Sequence, residues 1–265
     1  MTRAPEHTLE NVMTNLISAS SPAASKTLAQ TGLAFKSIKR SQIQEVIAAM
    51  LGYHTYAALS VKEQDNSLDL HLDDAGMPVL NLVGAESRAR RLGFDAAPEL
   101  VQACVAALRA LAPMRVHENL DDFYDSYARG ALADTIPSSD DVSDAMSETN
   151  AESDSDANLP NETPDTEDLW EARTEWSIDA SGDMEGSHHI ESDRMFAGDT
   201  LNCRAKLTFA KAGRTGLVLL DVDASAGVDE SWREQDHDYN EVYTREPTCQ
   251  SNQPHWRDAS HAGDR

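Results

Sequence analysis

Leu201-Asn202-Cys203-Arg204-Ala205-Lys206-Leu207-Thr208-Phe209 alternates apolar and polar residues over nine positions. Successive side chains of a strand point to opposite faces, so this pattern predicts a strand with one buried and one wet face. Upstream, Trp176, Ile178 and Ala180 alternate in the same way. Downstream, Lys211-Ala212-Gly213-Arg214 reads as a turn and Leu217 to Val222 as a further strand. Residues 169–228 thus predict an antiparallel meander of three or four strands. So small a sheet must pack on another element.

Further upstream the period changes to that of a helix. Glu6 to Ala19 predicts a short helix, Ser18 to Ser25 a loop, and Lys26 to Ala34 another helix. Ser41 and Gln44 have capping-box spacing ahead of Ile43, Val46, Ile47, Met50 and Leu51. Gly52 stands where a left-handed C-terminal cap is needed. Thr55 opens a second short helix carrying Tyr53, Tyr56, Ala57 and Leu59 nearby, so residues 26–62 form a helix–turn–helix-like unit. Leu68, Leu70 and Leu72 alternate with acids and His71, and Val79 to Val83 follows a turn, which predicts a β-hairpin over 67–83. Ala85 to Leu92 predicts a helix ended by Gly93. Pro98 opens the next, and Leu120, Phe123, Tyr124, Tyr127 and Ala128 mark a third.

Charge divides the chain. Of 22 Lys and Arg, 12 lie in residues 1–133, with 15 of the 46 Asp and Glu. That leaves 10 bases against 31 acids after residue 133, within a total of −24. Residues 134–168 contain no base, and Ser, Thr, Asn and Pro fill most of the gaps between acids. Such a segment buries too little apolar surface to offset its ordering entropy, so it is expected to be a flexible acidic linker. Val142 and Met146 allow one helical turn there. Residues 229–265 are polar and are expected to be a disordered tail. The expected architecture is α+β: a mainly helical region over 1–133 with a β-hairpin, the linker over 134–168, and a small antiparallel sheet over 169–228.

A net charge this negative disfavours nucleic acid and anionic membranes and favours a protein partner of basic character. Cys104, Cys203 and Cys249 form no Cys-x-x-Cys pair, and so sparse a set suits a reducing compartment. Neither a signal peptide nor a membrane span is evident, and the expected location is the cytoplasm. No cofactor motif appears.

Four groups of polar residues merit weighing. His188 and His189, with Glu191 and Asp193, are candidate metal ligands, but adjacent strand residues point oppositely, so a solvated loop is the simpler expectation. Asp221 and Asp223 share a strand face, which a charged solvent surface explains. Lys36, Lys39, Arg40, Gln42 and Gln44 invite a DNA-binding role, yet the second helix has no base before Lys62. Arg88, Arg90 and Arg91 cluster on one helix, suited to phosphate or to the acidic segment itself. Tyr53, Tyr56, Arg88 and Arg91 are the candidate partner-binding residues. No catalytic centre, cofactor site or metal site is assigned.

The stretch Lys39-Arg40-Ser41-Gln42-Ile43 through Leu51-Gly52-Tyr53-His54-Thr55-Tyr56-Ala57-Ala58-Leu59 resembles a helical module at the N-terminus of uncharacterised bacterial proteins, many carried on plasmids and integrative elements. Some of these are labelled glyoxalase-related. The similarity covers residues 26–62, and Arg194 to Asp199 and Ala212-Gly213-Arg214 also resemble those proteins. The resemblance implies a mobile-element context and transfers no site residues. The expected function is that of a non-enzymatic accessory or regulatory protein that binds another protein. Its rivals are a DNA-binding regulator using residues 26–62, an acidic DNA mimic, and an enzyme of glyoxalase-related type.

Overall fold

A computed structural model describes residues 12–30, 38–65, 67–149, 151–152, 157–188 and 200–231. The class is α+β. The chain divides into two units, Met1–Val228 and Asp229–Arg265, and of the second the structure describes residues 229–231.

The first elements are helices: α1 (Val12–Gln30), α2 (Arg40–Met50) and α3 (Tyr56–Glu63). The expected loop at Ser18 to Ser25 is instead the middle of α1. Its buried stripe is Ile17, Ser21, Ala24 and Leu28, at helical spacing, with Ser20 beside it. Counting Ser as polar hides that stripe. The Ser21 hydroxyl donates to the Ile17 carbonyl at 2.9 Å, so it can enter an apolar contact at little cost. In α2 the N-terminal cap also differs from expectation. Gln42 rather than Gln44 reaches back, accepting from the Lys39 N–H at 3.0 Å. In α3 the Thr55 hydroxyl accepts from Ala58 N–H at 3.0 Å, as its position predicted.

The hairpin expected over 67–83 does not close on itself. Leu72–Asp74 is a 3₁₀ turn, and β1 (Met77–Pro78) pairs across the molecule with Leu217 and Gly216. Leu82 already begins α4 (Leu82–Arg91), with the Asn81 side chain capping Gly84 N–H at 2.7 Å. Then come α5 (Ala97–Leu111), α6 (Leu120–Phe123), a π-helical turn at Tyr124–Ala128, and α7 (Arg129–Thr135). The N-terminal core joins Ile17, Ile43, Ile47, Leu59, Leu100, Cys104 and Leu108.

The acidic segment is not a free linker along its length. Asp140–Glu148 is α8, and Val142 and Ala145 are buried. Asp140 and Asp141 lie in its first turn, where carboxylates favour the helix dipole. Only two positions per turn need be apolar for such a helix to dock, so a high acid count does not preclude order. Further on, Ala157 and Leu159 are buried, and Asn158 N–H donates to Asp183 O at 2.8 Å.

The remaining strands are β2 (Ala151–Glu152), β3 (Glu175–Glu185), β4 (Ser187–His188), β5 (Thr200–Ala212) and β6 (Gly216–Val228). The main sheet is antiparallel with order β1-β6-β5-β3, and β2 pairs with β4. The strand signal at Leu201 to Phe209 becomes β5, and its inward residues are buried. Thr208 pairs with Asp221 and Phe209 with Leu219, so Leu220 is the extra residue of a β-bulge. Phe123, Tyr124, Leu132, Ile136 and Val142 cover the sheet's inner face with Trp176, Ile178, Leu207 and Phe209. The helices from residue 120 onward therefore share the sheet's core, and the boundary expected at residue 133 falls inside it.

Candidate binding cleft

Helix α2 ends with Gly52 at φ 81°. Gly52 N–H donates to Ala49 O at 3.0 Å and Tyr53 N–H to Ala48 O at 2.9 Å, the two bonds of a Schellman cap. This cap turns Tyr53 inward. Tyr53 is only 5% exposed, and its hydroxyl donates to Glu63 Oε1 at 2.9 Å. Glu63 Oε2 accepts from Leu72 N–H at 2.9 Å, and His71 Nδ1 lies 3.8 Å from it. Burial, and then the Glu63 charge, hold the Tyr53 hydroxyl well above its usual pKa.

Two expected contact residues thus change character. Tyr53 is a buried donor rather than a surface group. Tyr56 is half-buried, and its N–H donates to Glu45 Oε1 at 3.3 Å, while the Arg88 guanidinium bonds the other Glu45 oxygen. Arg90 pairs with Glu86 at 2.6 Å. These two arginines therefore bond acids of α2 and α4, not the acidic segment. Arg91 is exposed.

The β5–β6 turn interlocks with this corner. A Cβ on Gly213, at φ 64°, would lie 3.0 Å from Tyr53 Oη and 3.2 Å from Glu63 Oε1. A Cβ on Gly52 would lie 2.8 Å from Arg214 Cβ. Beside that contact opens a cleft of about 580 Å³. Tyr53, Leu68, Leu70, Trp170 and Ala172 give it apolar walls. Lys62, Arg173, Lys211 and Arg214 converge on it, with Glu171 as the acid among its lining residues. Lys62 lies 3.8 Å from Asp65, whereas Arg173 and Arg214 form no ion pair among the described residues. In a chain of net charge −24 this is a local basic concavity. Along its rim the outer face of α3 exposes Ala57, Ala58 and Val61, with Val61 72% exposed.

Lys211 sits at the inner wall. It was expected in a turn, but β5 continues through Ala212, and Lys211 falls in phase with inward-facing Leu207 and Phe209. It is 6% exposed, and Nζ donates to Leu169 O at 3.0 Å and Arg214 O at 2.6 Å. Burial pulls its pKa down to about 7; the nearby Arg214 charge adds to this, while Asp168 opposes it. Extending the alternation of 201–209 by one step would have revealed this residue. Nothing local reveals Trp170, whose Nε1–H donates to Val79 O at 3.2 Å.

Asp221 and Asp223 are exposed on β6, where Asp223 stands opposite Lys206. His188 lies in β4 opposite Ala151; His189, Glu191, Asp193 and the Arg194 to Asp199 segment fall outside the described residues. Among the described residues, no group of three His, Cys, Asp or Glu is placed to hold a metal ion. No helix there is long and apolar enough to cross a membrane. Compared with known proteins, the chain matches no family model, no curated protein and no solved structure.

Proposed function

We propose that this chain is a non-enzymatic accessory or regulatory protein, from a bacterial mobile element, that acts by binding another protein. The observation that carries this is the exposed apolar strip of Ala57, Ala58 and Val61 on α3, continuous with a basic, apolar-walled cleft. Apolar anchors beside arginines that pair with no described acid are what a short acidic segment with one or two apolar side chains needs. The partner expected from net charge alone is basic; at this site it presents carboxylates. At physiological ionic strength charges beyond about 8 Å are largely screened, so the local bases outweigh the distant acids.

The test is affinity capture from bacterial lysate by the full chain. A partner retained by a Val83→Asp control but lost with Val61→Asp and with Arg173→Glu supports this surface. Capture indifferent to all three substitutions overturns it. Recovery of DNA would instead favour the regulator.

A second reading draws on α8, which presents Asp140, Asp141, Asp144 and Glu148 on an ordered exposed face. Ordered carboxylates are what an acidic DNA mimic requires. Under it, a basic DNA-binding partner would be captured, and neutralising these four acids to Asn and Gln would abolish that capture.

A further inference from the structure

A neutral amine has two N–H bonds and one lone pair. At Lys211 two backbone carbonyls, of Leu169 and Arg214, take the two N–H bonds at 3.0 and 2.6 Å. Those acceptors fix the amine while leaving its fourth tetrahedral position without a partner among the described residues, in a residue that lines the cleft. Arg173 and Arg214 line the same cleft, and neither forms an ion pair with a described acid. A nucleophile with fixed hydrogens, apolar walls and two neighbouring cations is a built arrangement.

We propose that Lys211 captures a small carbonyl compound bearing an anionic group, such as an aldehyde acid, as an imine within this cleft. The Nζ lone pair forms a bond to the carbonyl carbon while the C=O π pair moves to oxygen. A proton passes from nitrogen to that oxygen, giving a carbinolamine. The C–O bond then breaks and water leaves with both former amine hydrogens, so Lys–NH₂ and O=CHR give Lys–N=CHR and H₂O. After protonation by solvent, the single N–H of the imine can donate to the Leu169 or Arg214 carbonyl. The carboxylate of the compound lies against Arg173 and Arg214. Burial supports the chemistry, because an amine with its pKa near 7 is about half neutral at neutral pH, whereas an ordinary exposed lysine is about one part in 10³ neutral.

The experiment uses the full chain with glyoxylate or, as a neutral counterpart, acetaldehyde, trapped by cyanoborohydride at pH 7.2 and mapped by mass spectrometry. Lys26, Lys39 and Lys206 are exposed, do not line the cleft and serve as internal standards. Glyoxylate should label Lys211 about tenfold faster than Lys206 or more. It should also outpace acetaldehyde at Lys211 but not at Lys206. Arg173→Gln, on an exposed residue, should reduce the glyoxylate preference at Lys211. Labelling of Lys211 no faster than Lys206, or equal for both aldehydes, overturns the proposal. No partner protein is needed, so this result stands apart from the outcome of the capture experiment.

Discussion

Glu63 is a carboxylate only 4% exposed, and it organises the corner where helix meets sheet. Both of its oxygens accept, from Tyr53 and from the Leu72 backbone. Tyr53→Phe removes a buried donor to a charged acceptor and should cost about 1–3 kcal/mol in chemical denaturation. A cost under a few tenths would show that the bond contributes nothing net. Lys211 makes a pH prediction. Its folded pKa of about 7 lies below the ordinary 10.5, so between these values the unfolded chain binds the extra proton. Stability relative to a Lys211→Met variant should therefore rise with pH from 7 towards 10.5. A flat difference would place the amine in water. His117 runs in the same sense at lower pH. It is fully buried, and desolvation holds its pKa below 6.5, opposed by Asp122. As pH falls through 6.5 the unfolded histidine protonates before the folded one, and stability is lost. His117→Gln should flatten the decline of Tm between pH 7 and 5.5. Tyr53 was visible in the sequence as an aromatic residue beside a helix end, but its inward direction follows from the Gly52 cap and the Gly213 turn together.

At the scale of elements, the strand pattern of β5 was legible because alternation is a local property, whereas α8 was obscured by its composition. Val142 is fully buried against the sheet's core. Val142→Asp should destabilise by roughly 3 kcal/mol or more, since it places an unpaired charge where a methyl group packed. Asp144→Ala on the same helix should change stability by no more than about 0.5 kcal/mol. Equal effects would return the segment to a linker. Helix α1 was split by the sequence for a related reason. Ser20 and Ser21 are buried, and no hydropathy pattern distinguishes a buried serine from a loop serine. The hairpin over 67–83 failed because Met77–Pro78 finds its partner in β6, a contact roughly 140 residues away that no local turn signal encodes.

At the scale of the molecule, the helical core and the sheet core meet through β1 and the β5–β6 turn. Ala212 belongs to the helical core, and Val79 to the sheet core. Such interdigitation predicts a single cooperative transition. Trp fluorescence of a variant with Trp232 and Trp256 replaced by Phe, which leaves Trp170 and Trp176 as reporters, should coincide with far-UV circular dichroism along a urea titration. Two separated midpoints would show that the regions unfold independently.

The α+β class, the β5 strand, the Gly52 cap, the Thr55 cap and the uneven charge are all legible in the order of the residues. Each depends on side chains within a few residues of one another. The inward turn of Tyr53, the burial of Lys211, the packed helix within the acidic segment and the meeting of bases from three separate segments at one cleft emerge on folding. Those outcomes depend on long-range burial and pairing, where the free energy of a contact belongs to two distant stretches of chain and is written in neither.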